Sequence, residues 1–171
     1  MKRIQRLLTV VAFMLAAAPA FAQLNVGYCN TDSIIVKMPE YQTAMAQLEA
    51  LSAQYRQEIQ DLRAEITSKI QNAQANRSTW TQLRLQKEAE EIQTMQNSLE
   101  AYQQEAQQDL MTQERALLEP VVEKLQDAVN SVGTENGYDY ILDSSVSRGV
   151  VIFRKDSHDI SQKVLAKLGL I

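Results

Sequence analysis

Apolar residues recur through the middle of the chain at Leu48, Leu51, Tyr55, Ile59, Leu62, Ile66, Ile70 and Ala73. Their spacings run three, four, four, three, four, four, three, an eleven-residue repeat. Eleven residues in three turns is about 3.67 per turn, close to the straight α-helix, so the pattern predicts a nearly straight helix lying along a partner. No Pro or Gly interrupts residues 40–75. A helix of that extent would be about 54 Å long. Asn76-Arg77-Ser78 breaks the repeat and reads as a tip turn, although it also fits an N-glycosylation sequon. Thr79-x-x-Gln82 offers a capping box for a second helix. That helix is expected to run to Asn136-Gly137, where Gly can supply the C-cap. Leu99, Leu110, Val121 and Val132 repeat at eleven, as do Met95, Ala106, Leu117 and Ala128. Two long helices with one period and a short turn predict an antiparallel hairpin. Folded back from the tip, Glu40 would oppose roughly residue 115. Pro120, inside the second helix, is expected to kink it near the base.

The flanking segments read differently. Residues 24–29 predict a short strand. Asn30, Thr31, Asp32 and Ser33 offer N-cap chemistry ahead of Ile34, Ile35 and Val36, and Pro39 then starts a fresh helix. Residues 138–143 alternate as a strand, 143–148 form a polar turn, and 149–154 read as a further strand. Asp156 and Ser157 can cap a last helix containing Ile160, Val164, Leu165 and Leu168, ended by Gly169. The expected fold is mainly α with a small β body, from which the helical hairpin projects. The expected division is a leader at 1–22, a body formed by 23–39 and 117–171, and an arm at 40–116. Three short strands leave two edges with unpaired backbone groups. Pairing with further copies of the chain would close them in a cyclic oligomer. The body positions expected to serve that assembly are Val26, Tyr28, Tyr140, Ile141, Val151 and Ile152.

The first residues change the picture of where this fold works. Lys2, Arg3 and Arg6 precede an apolar run from 7 to 18, and Ala20-Phe21-Ala22 forms an A-x-A site. That order is a cleavable secretory signal, and the run is shorter than the roughly 20 residues that span a bilayer. The mature chain would begin at Gln23. Three of the 17 basic residues and none of the 21 acidic ones lie in the leader, so the mature chain carries 14 against 21, a net −7. An acidic chain gains nothing electrostatically from nucleic-acid phosphates and little from an anionic membrane surface. Cys29 is the only cysteine, which excludes an intramolecular disulfide. Its apolar neighbours point to a buried thiol rather than an intermolecular bond. His158 is the only histidine and reads as an exposed residue of a capping turn. There is no Gly-rich phosphate loop, no nucleophile–base pair and no metal-ligand spacing. Glu88, Glu90 and Glu91 read as a solvated helix face. Enzymatic chemistry, a cofactor and a metal are therefore not expected.

The two ends carry a family resemblance. The stretches NVGYCNTDSIIVKMPEYQTAMAQLE, EPVVEKLQDAV leading into ENGYDYILDSS, and GVVIFRKDSHDISQKVLAKLGL resemble the Skp (OmpH) family of periplasmic chaperones. The resemblance is specific at the ends and weaker in the arms. It implies a homotrimer in which strands of three chains close a β-barrel and three hairpins project like tentacles. It implies a cavity that holds unfolded outer-membrane proteins without nucleotide. The best-known members are basic, whereas this chain is acidic once the leader is removed, so no lipid- or lipopolysaccharide-contact residues are carried over. The arm residues that could meet a client are Met45, Trp80, Leu83, Met95, Tyr102 and Met111. Met adapts to irregular partners and aromatic rings carry large contact area, although such residues more often fill a helix seam. Trp80 and Met45 fall outside the main stripe and are the stronger candidates for exposed contact. A non-enzymatic spacer or adaptor of the cell envelope is the alternative function.

Overall fold

The computed structural model describes residues 24–147 and 151–171; the expected leader at 1–22 lies outside them. A short strand β1 (Val26–Cys29) leads into a one-turn helix α1 (Thr31–Ile35). The Asn30 side chain accepts from the Ser33 amide at 2.9 Å, which starts that turn. Pro39 then sits in the first turn of α2 (Pro39–Ala75), where its missing N–H costs nothing. After the tip comes α3 (Gln82–Asn136), then β2 (Tyr140–Asp143) and the short helix α4 (Ser161–Lys167). At about 1.5 Å per residue α2 is about 56 Å long and α3 about 83 Å.

The eleven-residue stripe is the seam. Every member on α2, from Leu48 to Ala73, is half-buried or buried, and so are both eleven-residue series on α3. The turn differs from the expectation in one respect. The cap of α3 is Thr81, whose hydroxyl accepts from the Arg84 amide, not Thr79. Thr79 instead closes the turn by donating its amide to the Asn76 carbonyl at 2.9 Å. The turn is therefore longer than Asn76-Arg77-Ser78, and the register shifts accordingly. Glu40 pairs with Lys124 rather than meeting residue 115. Lys69 pairs with Glu91 at 2.7 Å, and the Tyr55 hydroxyl donates to Asp109 at 2.7 Å. The α3 helix continues through Pro120 and ends as expected at Gly137, whose φ of 65° is the left-handed region that Gly adopts without penalty.

The strands pair in parallel, Val26 with Tyr140 through Cys29 with Asp143. Parallel strands need a crossover, and here the crossover is the whole hairpin. The other edge of β1 is taken by the segment before α4: Tyr28 bridges Asp159, and the Ile160 amide donates to the Tyr28 carbonyl at 2.9 Å. The expected third strand at 149–154 is corrected. Residues 151–154 are not in a strand, and Gly149 and Val150 lie outside the described residues. No edge of this single chain is left at β1 to receive them. The start of the last helix is also corrected. Asp156–His158 form a separate 3-10 turn, and α4 begins only at Ser161.

One apolar core joins these elements. Cys29, Ile34 and Met38 pack with Val121, Leu125, Ala128 and Val132 of α3 and with Ile160, Val164 and Leu165. Gly133 lets β2 approach α3, since a Cβ there would lie 3.1 Å from the Ile141 side chain. The molecule is mainly helical, with a two-stranded sheet among the described residues.

Candidate functional site

Two surfaces can meet other molecules: the outer face of the arm and the open side of the small sheet. The arm is built first by its seam. Midway along it, Tyr55 and Tyr102 meet edge to face with ring centroids 6.1 Å apart. Each reaches across to the opposite helix, Tyr55 to Asp109 and Tyr102 to Glu58. The Tyr102 hydrogen bond, then that from Gln54, holds the Glu58 carboxyl below its ordinary range against the opposing effect of burial. The same bond to Glu58 leads in pushing the Tyr102 phenol up to about 12. Asp109 raises Tyr55 likewise. This crossed polar clasp adds to the apolar stripe in tying the helices together midway along the seam. Nearer the tip, Lys69 lies between Glu91 and Glu88, at 2.7 and 3.6 Å. Glu88 and Glu91 are thus partly paired across the seam rather than purely solvated.

The six arm candidates divide by location. Met45, Leu83 and Met111 are exposed, at 42%, 66% and 56%. Trp80 is half-buried, with the Arg84 guanidinium 4.2 Å from its ring centroid. Met95 and Tyr102 lie half-buried in the seam. Val36 and Val122 are exposed apolar residues that the sequence reading did not single out. Each ends or flanks an apolar cluster whose other members are core, so periodicity alone assigns them inward.

On the body, the outer edge of β2 carries no partner strand among the described residues. Tyr140 is exposed and Ile141 packs on the core. Val26 is half-buried and Tyr28 buried. Val151 is half-buried, while Ile152 is 98% exposed beside an exposed Phe153. Arg154 anchors this segment by donating to the Ser144 carbonyl at 3.2 Å and by facing the Tyr28 ring. The Asp143 carboxyl ends β2 and gathers the start of α1. Burial would raise its pKa, but hydrogen bonds from the Thr31 hydroxyl, the Ser145 amide and the Thr31 amide outweigh that and lower it.

Cys29 is 1% exposed. Burial first, then the nearby Asp143 and Asp159 charges, pushes its thiol up to about 11. His158 is exposed, and its Nδ1 lies 2.9 Å from the Val26 carbonyl. A carbonyl only accepts, so Nδ1 carries the proton and the ring fastens the 3-10 turn to β1. Among the described residues no group of three or more His, Cys, Asp and Glu side chains could hold a metal ion, and no helix is long and apolar enough to cross a membrane.

Comparison with known proteins agrees with this geometry. The model of the family described as "Outer membrane protein (OmpH-like)" matches residues 25–168. The chaperone protein Skp of Yersinia enterocolitica is 25% identical over 154 residues, covering 90% of this chain and 92% of its own. Skp of Vibrio cholerae serotype O1 is 24% identical over 158 residues, covering 92% and 91%. A crystal structure described as an OmpH-like outer membrane chaperone of Caulobacter crescentus superposes with a TM-score of 0.75 at 20% identity, over 86% of this chain and 85% of that one. The chain belongs to the OmpH-like family of non-catalytic periplasmic chaperones.

Proposed function

We propose that the chain is an ATP-independent holding chaperone that binds unfolded outer-membrane proteins in the periplasm and keeps them from aggregating. The observation that carries this reading is the placement of Met45, Leu83 and Met111. They are exposed on a long arm and belong to no part of the body core. Apolar residues scattered along a projecting arm suit weak, adaptable contact with an unfolded chain, and Met is the most adaptable of them. The working unit is a homotrimer, exported by a signal cleaved after Ala22. Its body is 23–39 with 117–171, and its arm is 40–116. The β2 edge, open among the described residues, and the exposed apolar residues Ile152 and Phe153 support assembly, because such groups are stable only when covered. Closure of three such sheets into a barrel would leave the arms around a cavity.

The spacer reading has one observation in its favour. The seam is closed along its length by the apolar stripe and the tyrosine clasp, as a rigid spacer requires. The exposed Met and Leu residues serve no such purpose. Dilution of an unfolded outer-membrane β-barrel from denaturant, followed by light scattering, separates the two. A holding chaperone suppresses the scattering at near-stoichiometric trimer without ATP, whereas a spacer leaves it unchanged.

A further inference from the structure

At the foot of the arm a groove of about 760 Å³ is lined by Val36, Met45, Leu48 and Leu110. A second groove lies against α3 and is floored by Met111, Leu118 and Val122. Glu114 borders both, so they form one apolar band around the foot. Glu49 edges the first groove, and Glu119 and Glu123 edge the second. All four carboxylates are exposed, and none of them is in an ion pair among the described residues. Among the described residues Arg115 is the one cation lining the band, and the neighbouring Lys124 is held by Glu40. The tip is the opposite. Residues 66–87 include Lys69, Arg77, Arg84 and Lys87 and no Asp or Glu.

We infer that the foot of the arm is a docking surface for apolar segments of an unfolded chain that carry flanking Lys or Arg. The inference rests on the holding function proposed above and names the kind of segment taken at this place. The apolar floor supplies affinity without regard to sequence. The unpaired acidic rim supplies discrimination, because a cationic flank finds partners there and an anionic flank meets like charge. A second copy of the chain, itself net acidic and presenting the same rim, is the occupant that this charge disfavours.

The test uses two fluorescent synthetic peptides with one shared apolar core, flanked by lysines in one and glutamates in the other. Anisotropy titrations are run on the full protein and on a variant combining Glu49→Gln, Glu114→Gln, Glu119→Gln and Glu123→Gln. Glutamine keeps the helix propensity and size of each exposed site, and circular dichroism checks the fold. At low ionic strength the lysine-flanked peptide should bind about tenfold tighter to the native protein, with the preference fading toward physiological salt and in the variant. Equal binding of both peptides, or a preference that survives in the variant, overturns the inference. Tighter binding of the glutamate-flanked peptide also overturns it and moves the site to the cationic tip. A changed sedimentation mass in the variant overturns it in favour of an interface between copies. The β-barrel scattering assay on the native protein is run alongside. A lysine preference without suppression of scattering would strike the holding reading and leave the cation-selective surface standing.

Discussion

At the scale of single residues, Cys29 and Asp143 carry the clearest consequences. The Cys29 thiol is buried and its pKa is about 11, so at neutral pH almost no thiolate exists to react. Labelling by a thiol reagent is expected to be slow in the native protein and complete on unfolding in urea. Fast native labelling would contradict the packing described for β1. Asp143 has a carboxyl pKa lowered in the fold. Its contribution is therefore fully present above the ordinary carboxylate range and is lost as pH falls through the folded value. Asp143→Asn should lower stability near neutral pH by about 1–2 kcal/mol. It should also flatten the fall in urea midpoint as pH drops below the ordinary aspartate range of about 4. An unchanged acid limb would mean that another carboxylate governs it. The sequence shows Cys29 as buried because its neighbours are apolar. It does not show the role of Asp143, whose partner Thr31 is more than a hundred residues away and is brought near by the crossover.

At the scale of elements, the hairpin is legible because helical periodicity is local. The stripe from Leu48 to Ala73 appears in the sequence as it lies in the seam. The register is less legible, because displacing the centre of the hairpin by a few residues moves the opposing residue by about twice that number. Glu40 consequently meets Lys124. The strand at 149–154 is the opposite case. Its alternation is local, but a strand forms only by pairing, and among the described residues 151–154 pair neither with β1, which is flanked by β2 and Asp159, nor with the outer edge of β2. The tyrosine clasp is invisible to pattern reading, since Tyr55 counts as an apolar stripe member and Asp109 as a polar face residue. Tyr102→Phe keeps the ring and removes the bond to Glu58. It is expected to speed amide hydrogen exchange locally around residues 55–59 and 102–109 while leaving the body unchanged. Equal acceleration in body and arm would show that the clasp is not a local brace.

At the scale of the whole molecule, the expected oligomer and the expected holding activity make separate demands. Ile152 is almost fully exposed in one chain, whereas Ile141 belongs to the core. Ile152→Asp should therefore reduce the sedimenting mass of the chain starting at Gln23 without loss of helicity, and Gln74→Asp near the tip should not. Equal behaviour of the two variants would move the assembly surface away from the body. Holding depends on the arm. The most direct measurement is the affinity for an unfolded outer-membrane β-barrel of the native protein and of a variant with Met45, Leu83 and Met111 all changed to Ser, at low and physiological salt. All three side chains are exposed, so the variant should keep its helices and its assembly. The expected result is a loss of at least about tenfold in affinity in the variant, since each large side chain buried by a client can contribute up to roughly 1.5–3 kcal/mol. Salt should weaken overall binding of the native protein only modestly, as screening at about 0.15 M already confines charge effects to about 8 Å. Normal binding by an intact variant, together with loss of binding in salt, would contradict apolar holding by the arms.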